Sequence, residues 1–132
     1  MIEIFNEVFT RLTTALQLFN HNINTSSVYV NIPSSYPFVS IEEIENTPYQ
    51  RGEDWQNIEN FADIHFEVNI YSKDPQKKTN ADKILAVVDD FFNELGFVRT
   101  TKTPLQDANE TIYRIVVRYN AIVSKNKDVY RR

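Results

Sequence analysis

Two long segments of the chain, 61–72 and 111–124, alternate apolar and polar residues with the period of a β-strand that has one dry face. In the first segment the apolar side consists of Ala62, Ile64, Phe66, Val68 and Ile70, and the other side of Asp63, His65, Glu67, Asn69 and Tyr71. In the second segment the inward side consists of Tyr113, Ile115, Val117, Tyr119 and Ala121, and the outward side of Ile112, Arg114, Val116, Arg118 and Asn120. The pattern predicts two strands whose outward faces carry opposite charges.

Two other segments have the periodicity of helices with a core-facing stripe. The stripe of residues 2–20 is formed by Ile2, Phe5, Phe9, Leu12, Leu16 and Phe19, and it is widened by Ile4, Val8, Ala15 and Leu18. The second predicted helix covers about 76–95, and its apolar face consists of Ala81, Ile84, Leu85, Val88, Phe91, Phe92 and Leu95. Gly96 follows at the position of a left-handed C-terminal cap.

Shorter strands are predicted at about 28–32, 38–45 and 97–103, where extended, β-branched patterns occur. The polar stretch 21–27 is predicted to be a turn, because short polar side chains compete for backbone hydrogen bonds. The basic tail, 125–132, is predicted to be mobile.

This order of elements predicts a single α+β domain over residues 1–132, with an antiparallel or mixed sheet and both helices packed on one face. Each helix has one polar side, and each long strand is dry on one face only. A doubly wound parallel sheet would require apolar residues on both faces of its strands.

The composition is that of a folded protein, with 42% apolar and 13% aromatic residues in 132 positions. The net charge of -4 makes nucleic acid a poor first partner, because affinity for phosphates requires clustered Lys and Arg. The N-terminus lacks a secretion signal, and no stretch approaches the roughly 18 apolar residues of a membrane span. We therefore expect a protein made in a cytoplasm that contacts no membrane.

The chain has few of the residues on which enzymes depend. Cysteine is absent, which excludes thiol catalysis, disulfides and cysteine-ligated metals. The chain has only 2 glycines, too few for a phosphate-binding glycine-rich loop, and its 2 histidines lie far apart in the sequence. The prediction is a protein without catalytic residues or a cofactor.

One group of polar residues leaves two interpretations open. Asp63, His65 and Glu67 lie at alternate positions on one strand face, so all three could point at one metal ion. Alternatively, Asp63 and Glu67 pair with Arg114 and Arg118 across neighbouring strands. The three residues lack a fourth ligand and a visible orienting partner, so the prediction is no metal site, with these residues as the only candidates.

Two segments are candidates for a contact surface. The first is the segment 46–60, a long loop with neither periodicity, whose candidate contact residues are Arg51, Glu53, Asp54 and Trp55. The alternative is a disordered connection whose Trp55 packs against the edge of the core. The second is the outward face of 111–124, where Arg114, Val116 and Arg118 form the mixed patch typical of protein interfaces. Its aliphatic residues could instead lie under a loop.

The chain resembles the tail-completion or tail-terminator proteins of long-tailed bacteriophages, which include the tail-to-head joining proteins. The resemblance covers most of the chain and lies in the order of its parts. After the N-terminal helix come Tyr36-Pro-Phe-Val-Ser-Ile-Glu-Glu and Ala62-Asp-Ile-His-Phe-Glu-Val-Asn-Ile-Tyr-Ser. These are followed by Ala81-Asp-Lys-Ile-Leu-Ala-Val-Val-Asp-Asp, Leu95-Gly-Phe and Tyr113-Arg-Ile-Val-Val-Arg-Tyr-Asn-Ala-Ile-Val.

The resemblance implies a non-enzymatic virion protein that assembles as a ring, hexameric in similar proteins, at the head-proximal end of the tail. Its implied partners are copies of itself, the major tail tube protein and the head connector. The alternatives are a head-completion or minor capsid protein of the same particle, or a small metal-dependent enzyme or binding protein. For the ring we expect that reversing Arg114 and Arg118 to Glu weakens assembly without unfolding the monomer.

Overall fold

A computed structural model of the protein describes residues 2–28, 33, 35–48, 61–73, 76–106, 111–124 and 129–130. The elements in these ranges are α1 (Phe5–Phe19), β1 (Asn24–Ser26), β2 (Phe38–Pro48), β3 (Phe61–Lys73), α2 (Lys77–Leu95), β4 (Val98–Gln106), β5 (Ile112–Ser124) and β6 (Val129–Tyr130). Each of the two helices is followed by three strands, so helices and strands do not alternate one by one. The predicted α+β class is confirmed.

The described strands form one mixed sheet in the order β1-β2-β3-β5-β4, and β6 pairs with β5. Strand β1 runs parallel to β2, whereas the pairs β2–β3, β3–β5, β4–β5 and β5–β6 are antiparallel. The two segments that the sequence singles out, β3 and β5, lie side by side in the middle of the sheet. Their register places Phe66 opposite Tyr119 and Glu67 opposite Arg118.

Both helices cover the same face of the sheet, and Phe66 lies at the centre of the contact. The Phe66 side chain is fully buried, and its ring centroid lies 6.1 Å from that of Phe5 on α1 and 6.0 Å from that of Phe92 on α2. Phe92 in turn stacks on Tyr119 at 4.3 Å. This aromatic cluster joins both helices to the central strands, so the core depends on a few large side chains.

Helix α2 ends at a left-handed glycine cap, as the sequence predicts. Gly96 has a φ of 91°, in the left-handed region where only glycine avoids a clash between Cβ and the backbone. The backbone N–H of Gly96 donates to the carbonyl oxygen of Asn93 at 3.0 Å, and that of Phe97 donates to the carbonyl oxygen of Phe92 at 2.9 Å. These bonds satisfy carbonyls at the end of the helix and turn the chain back toward β4.

Several element bounds differ from the sequence prediction. Helix α1 begins at Phe5 and not at residue 2. The stretch 21–27, predicted to be a turn, contains β1, while most of the strand predicted at 28–32 lies outside the described residues. Within the tail predicted to be mobile, Val129–Tyr130 pairs with β5. Periodicity could not predict these two short strands, because two or three residues are too few to show alternation.

The burial predicted for the end of α1 is also wrong. Leu18 was predicted to widen the buried stripe, but its side chain is 84% exposed, and Phe19 is 49% exposed. Val8, Leu12 and Leu16 are the buried positions of the helix. The last turn of α1 therefore presents apolar side chains to solvent.

Candidate functional site

The sheet face away from the helices is more buried, at one end of β3, than the sequence predicts. Asn69 and Tyr71 were predicted to face solvent, yet their exposed fractions are 0% and 1%. Tyr71 lies opposite Phe38 of β2, with an edge-on ring contact at 6.1 Å. At this end, strand β3 is thus buried on both faces.

The Arg114 side chain hydrogen-bonds to a buried polar side chain on this face. Its Nε and Nη2 donate to the Oδ1 of Asn69 at 3.0 and 2.6 Å, and its guanidinium lies 5.5 Å from the centre of the Tyr71 ring. Because these contacts satisfy a fully buried amide oxygen, we expect that reversing Arg114 destabilises the monomer. The expectation that both arginines can be reversed without unfolding is therefore retained for Arg118 only.

The predicted pairing of the two charged strand faces is partly correct. Arg118 forms an ion pair with Glu67, with Nη2 3.1 Å from Oε2. Asp63, however, contacts neither arginine in the described contacts and instead accepts a hydrogen bond from Asn120. The Arg114 guanidinium donates its hydrogen bonds to Asn69. Charge pairing therefore accounts for one of the two predicted pairs.

The three candidate metal ligands are not brought together. The His65 Nε2 lies 3.2 Å from Asp63 Oδ1 and 3.5 Å from Glu45 Oε2, while Glu67 is turned toward Arg118. Within the described ranges, no group of three or more His, Asp or Glu side chains could hold a metal ion. Glu45 lies opposite His65 because the register of β2 and β3 shifts between Glu43 and Glu45. The sequence alone could not predict this shift.

Of the segment 46–60, which is predicted to be a loop, residues 46–48 belong instead to strand β2, which runs to Pro48. Its candidate contact residues, Arg51, Glu53, Asp54 and Trp55, lie outside the described residues. Val116 and Arg118 lie on the sheet face away from the helices, as predicted, and half of the Arg118 side chain is exposed. Neither described helix has the length and apolar content needed to cross a bilayer.

A groove at the N-terminal end of α1 was not predicted. We call it the acidic groove; the residues that form it are Glu3, Phe5, Glu7, Val28, Glu42 and Glu43, with Asn6 and Ser27. Every charged side chain among these described lining residues is a glutamate. Val28, which is 62% exposed, lies among them. The groove therefore combines an apolar surface with strong negative charge.

The opposite end of α1 carries the reverse charge. Phe19 lines a second groove together with Lys73 and Lys83, and the Nζ of Lys73 lies 5.9 Å from the centre of the Tyr36 ring. We call Leu18, Phe19, Lys73 and Lys83 the basic end. Both lysines are exposed, and no acidic residue is among the described residues that line this groove.

The charges of the acidic groove are crowded. The pKa of Glu43 is raised above its ordinary value, first by burial and also by repulsion from Glu3, while a hydrogen bond from Asn46 opposes the shift. The Asn46 Nδ2 donates to Glu43 Oε1 at 3.2 Å and to the carbonyl oxygen of Ile2 at 2.8 Å. In the isolated chain ionisation of Glu43 is thus less favourable than that of an ordinary glutamate.

Replacing Glu43 with Gln is expected to stabilise the monomer at neutral pH. A carboxyl whose pKa is raised on folding lowers stability once the pH passes its unfolded value, 4.5, because ionisation then costs more in the folded state. The free energy of unfolding of Glu43→Gln should therefore exceed that of the wild type at pH 7, and the difference should vanish at pH values well below 4.5. Urea unfolding of the wild type and Glu43→Gln, at pH 7 and well below pH 4.5, measures the difference in the free energy of unfolding. The same difference at the two pH values would contradict the prediction.

The sequence contains a weak signal for these two surfaces. Leu18 and Phe19 occupy the last turn of α1, where an apolar stripe commonly continues past the edge of the core that it covers. Glu3 precedes α1 and Glu7 lies in its first turn, whereas Glu42 and Glu43 lie on β2, and 35 positions separate Glu7 from Glu42. Only the fold brings the two pairs together.

Comparisons with known proteins identify the fold alone. The chain matches no family model and no curated protein. In the comparison with solved structures, 30 chains match. One of them aligns with 98% of this chain and 96% of its own length, with a TM-score of 0.57 and 10% sequence identity. At this identity the likeness extends to the α+β architecture and no further.

Proposed function

We propose that this protein is a structural virion component that assembles as a closed ring at the head-proximal end of a phage tail. There it ends the growth of the tail tube and joins the tail to the head connector. The observation that carries the proposal is the position of the exposed large apolar residues. Among the described residues six are of this kind. Five of them lie at ends or edges of the fold: Leu18 and Phe19 in the last turn of α1, Val28 after β1, and Val98 and Leu105 on β4; the sixth, Ile44, lies on β2.

This distribution suits a subunit that touches several neighbours at once. A ring subunit contacts its two neighbours through unlike surfaces and needs further surfaces for the tube and the connector. Among the described strands, β1 and β4 lie at the two ends of the order, so Val28 on one side and Val98 and Leu105 on the other serve different contacts. Single exposed apolar residues are ordinary, but residues at three separated places supply several contact surfaces.

The edge strand β4 also fits a contact made through side chains. Its sequence includes Lys102 and Pro104, residues that discourage backbone pairing with another sheet. A subunit with such an edge avoids open-ended sheet growth, which a closed ring must also avoid. The resemblance to tail-terminator proteins in the order of elements is consistent with this role.

Tube capping tests the proposal. The tail tube protein of the same particle is polymerised with and without this protein, and the tubes are examined by negative-stain electron microscopy. We expect a ring of density at one tube end and no further growth of capped ends after fresh tube subunits are added. Bare ends with unchanged growth, or binding to the connector without any effect on the tube, would overturn the terminator role.

A further inference from the structure

We propose that neighbouring copies join by seating the basic end of one copy in the acidic groove of the next. This inference rests on the proposed ring function and names the contact that would close the ring. The two surfaces are the acidic groove at the start of α1 and the end of α1, where Leu18 is 84% exposed and where Phe19, Lys73 and Lys83 line the second groove.

Charge complementarity identifies a second copy as the occupant. The acidic groove brings together Glu3, Glu7, Glu42 and Glu43, and the basic end carries Lys73 and Lys83. In the isolated chain burial and, to a smaller extent, repulsion between Glu3 and Glu43 raise the pKa of Glu43. A lysine placed between them relieves this repulsion. Contacts of this kind fix the register and the rate of association, and they weaken with added salt.

Apolar residues supply the remainder of the contact. Leu18 is 84% exposed at the tip of α1, and Val28 is 62% exposed within the acidic groove, beside Phe5. When Leu18 of one copy covers Val28 of the next, both side chains leave water. An apolar centre with charges around it is the usual anatomy of a protein interface.

The positions of the two surfaces make the contact head-to-tail. Helix α1 has 15 residues, a length of about 22 Å, so its two ends cannot meet within one copy. The basic end of one copy can therefore contact the acidic groove of another copy only. The basic end of that second copy is then available to a third copy. Repetition by a fixed rotation gives a ring when the rotation closes.

Charge reversal tests the contact. The first variant, Lys73→Glu with Lys83→Glu, makes the basic end acidic. The second, Glu3→Lys with Glu7→Lys and Glu42→Lys, leaves Glu43 as the one glutamate among the lining residues of the acidic groove and gives that lining a net positive charge. A third chain carries all five substitutions. The matched control, Arg11→Glu with Lys78→Glu, has the same change in net charge as the first variant, but at exposed positions that line neither groove. Sedimentation velocity over a range of concentrations measures assembly, and circular dichroism checks that each variant is folded.

We expect each of the first two variants to require at least about a tenfold higher concentration for half-assembly, because like charges face each other at every contact. The chain with all five substitutions should assemble like the wild type, and so should an equimolar mixture of the first two variants if the ring has an even number of copies. The control should assemble normally. Assembly of all variants at wild-type concentrations would overturn this contact and leave the ring proposal standing. A wild type that never assembles would contradict both.

A variant without any charge change separates packing from electrostatics. Leu18→Ala removes an exposed side chain from a helix, where alanine is well tolerated, so the monomer should keep its stability. If Leu18 is buried at the contact, the concentration for half-assembly should rise roughly tenfold. An unchanged concentration would show that Leu18 is not part of the contact and would overturn the proposed seating of α1.

Discussion

Replacement of Phe66 by Ala is expected to lower the free energy of unfolding by about 3–5 kcal/mol. The side chain is fully buried on β3, and its ring touches those of Phe5, Phe92 and Phe97, the last at 5.5 Å between centroids. The substitution removes apolar contacts with both helices at once, and the rigid sheet behind it cannot collapse into the cavity. Urea unfolding of the monomer at low protein concentration measures the loss.

A matched control is the same truncation at the surface. Phe19→Ala deletes an identical ring from the exposed last turn of α1 and should change the free energy of unfolding of the monomer by less than about 1 kcal/mol. If Phe66→Ala cost no more than Phe19→Ala, the aromatic cluster would not be the centre of the core.

Replacement of Arg114 by Ala is expected to cost about 2–3 kcal/mol, more than an arginine on an exposed strand face normally contributes. The guanidinium donates two hydrogen bonds to the buried Oδ1 of Asn69 and lies against the ring of Tyr71. Without it, the amide oxygen of Asn69 loses these donors while the strands around it keep out water. Thermal and urea unfolding measure the effect.

Arg118→Ala provides the comparison. Arg118 lies four residues along the same face of β5, and its ion pair with Glu67 is largely exposed on the arginine side, so its loss should cost at most about 1 kcal/mol. A double-mutant cycle of Arg114→Ala and Asn69→Ala should give a coupling energy above about 0.5 kcal/mol. Equal costs for the two arginines, or additive effects in the cycle, would contradict the structural role of Arg114.

The alternation of β3 and β5 could be predicted from the sequence because a half-buried strand repeats its environment every two residues. The inward residues of β5 lie where the alternation places them, and Gly96 caps α2 as expected. These features depend on local periodicity and on the conformational freedom of one glycine.

The burial of Asn69 and Tyr71 could not be predicted in this way. Their surroundings come from Phe38 on β2 and Arg114 on β5, which lie more than 30 positions away in the sequence. The acidic groove is equally non-local, because it joins the start of α1 to the middle of β2. Contacts between distant segments depend on strand order, and alternation within one strand carries no information about that order.

Native mass spectrometry over a range of concentrations tests whether this chain closes into a ring. We expect a single closed oligomer of six copies and no open chains of unlimited length. A monomer at every concentration, both alone and after incubation with the tail tube protein, would contradict it.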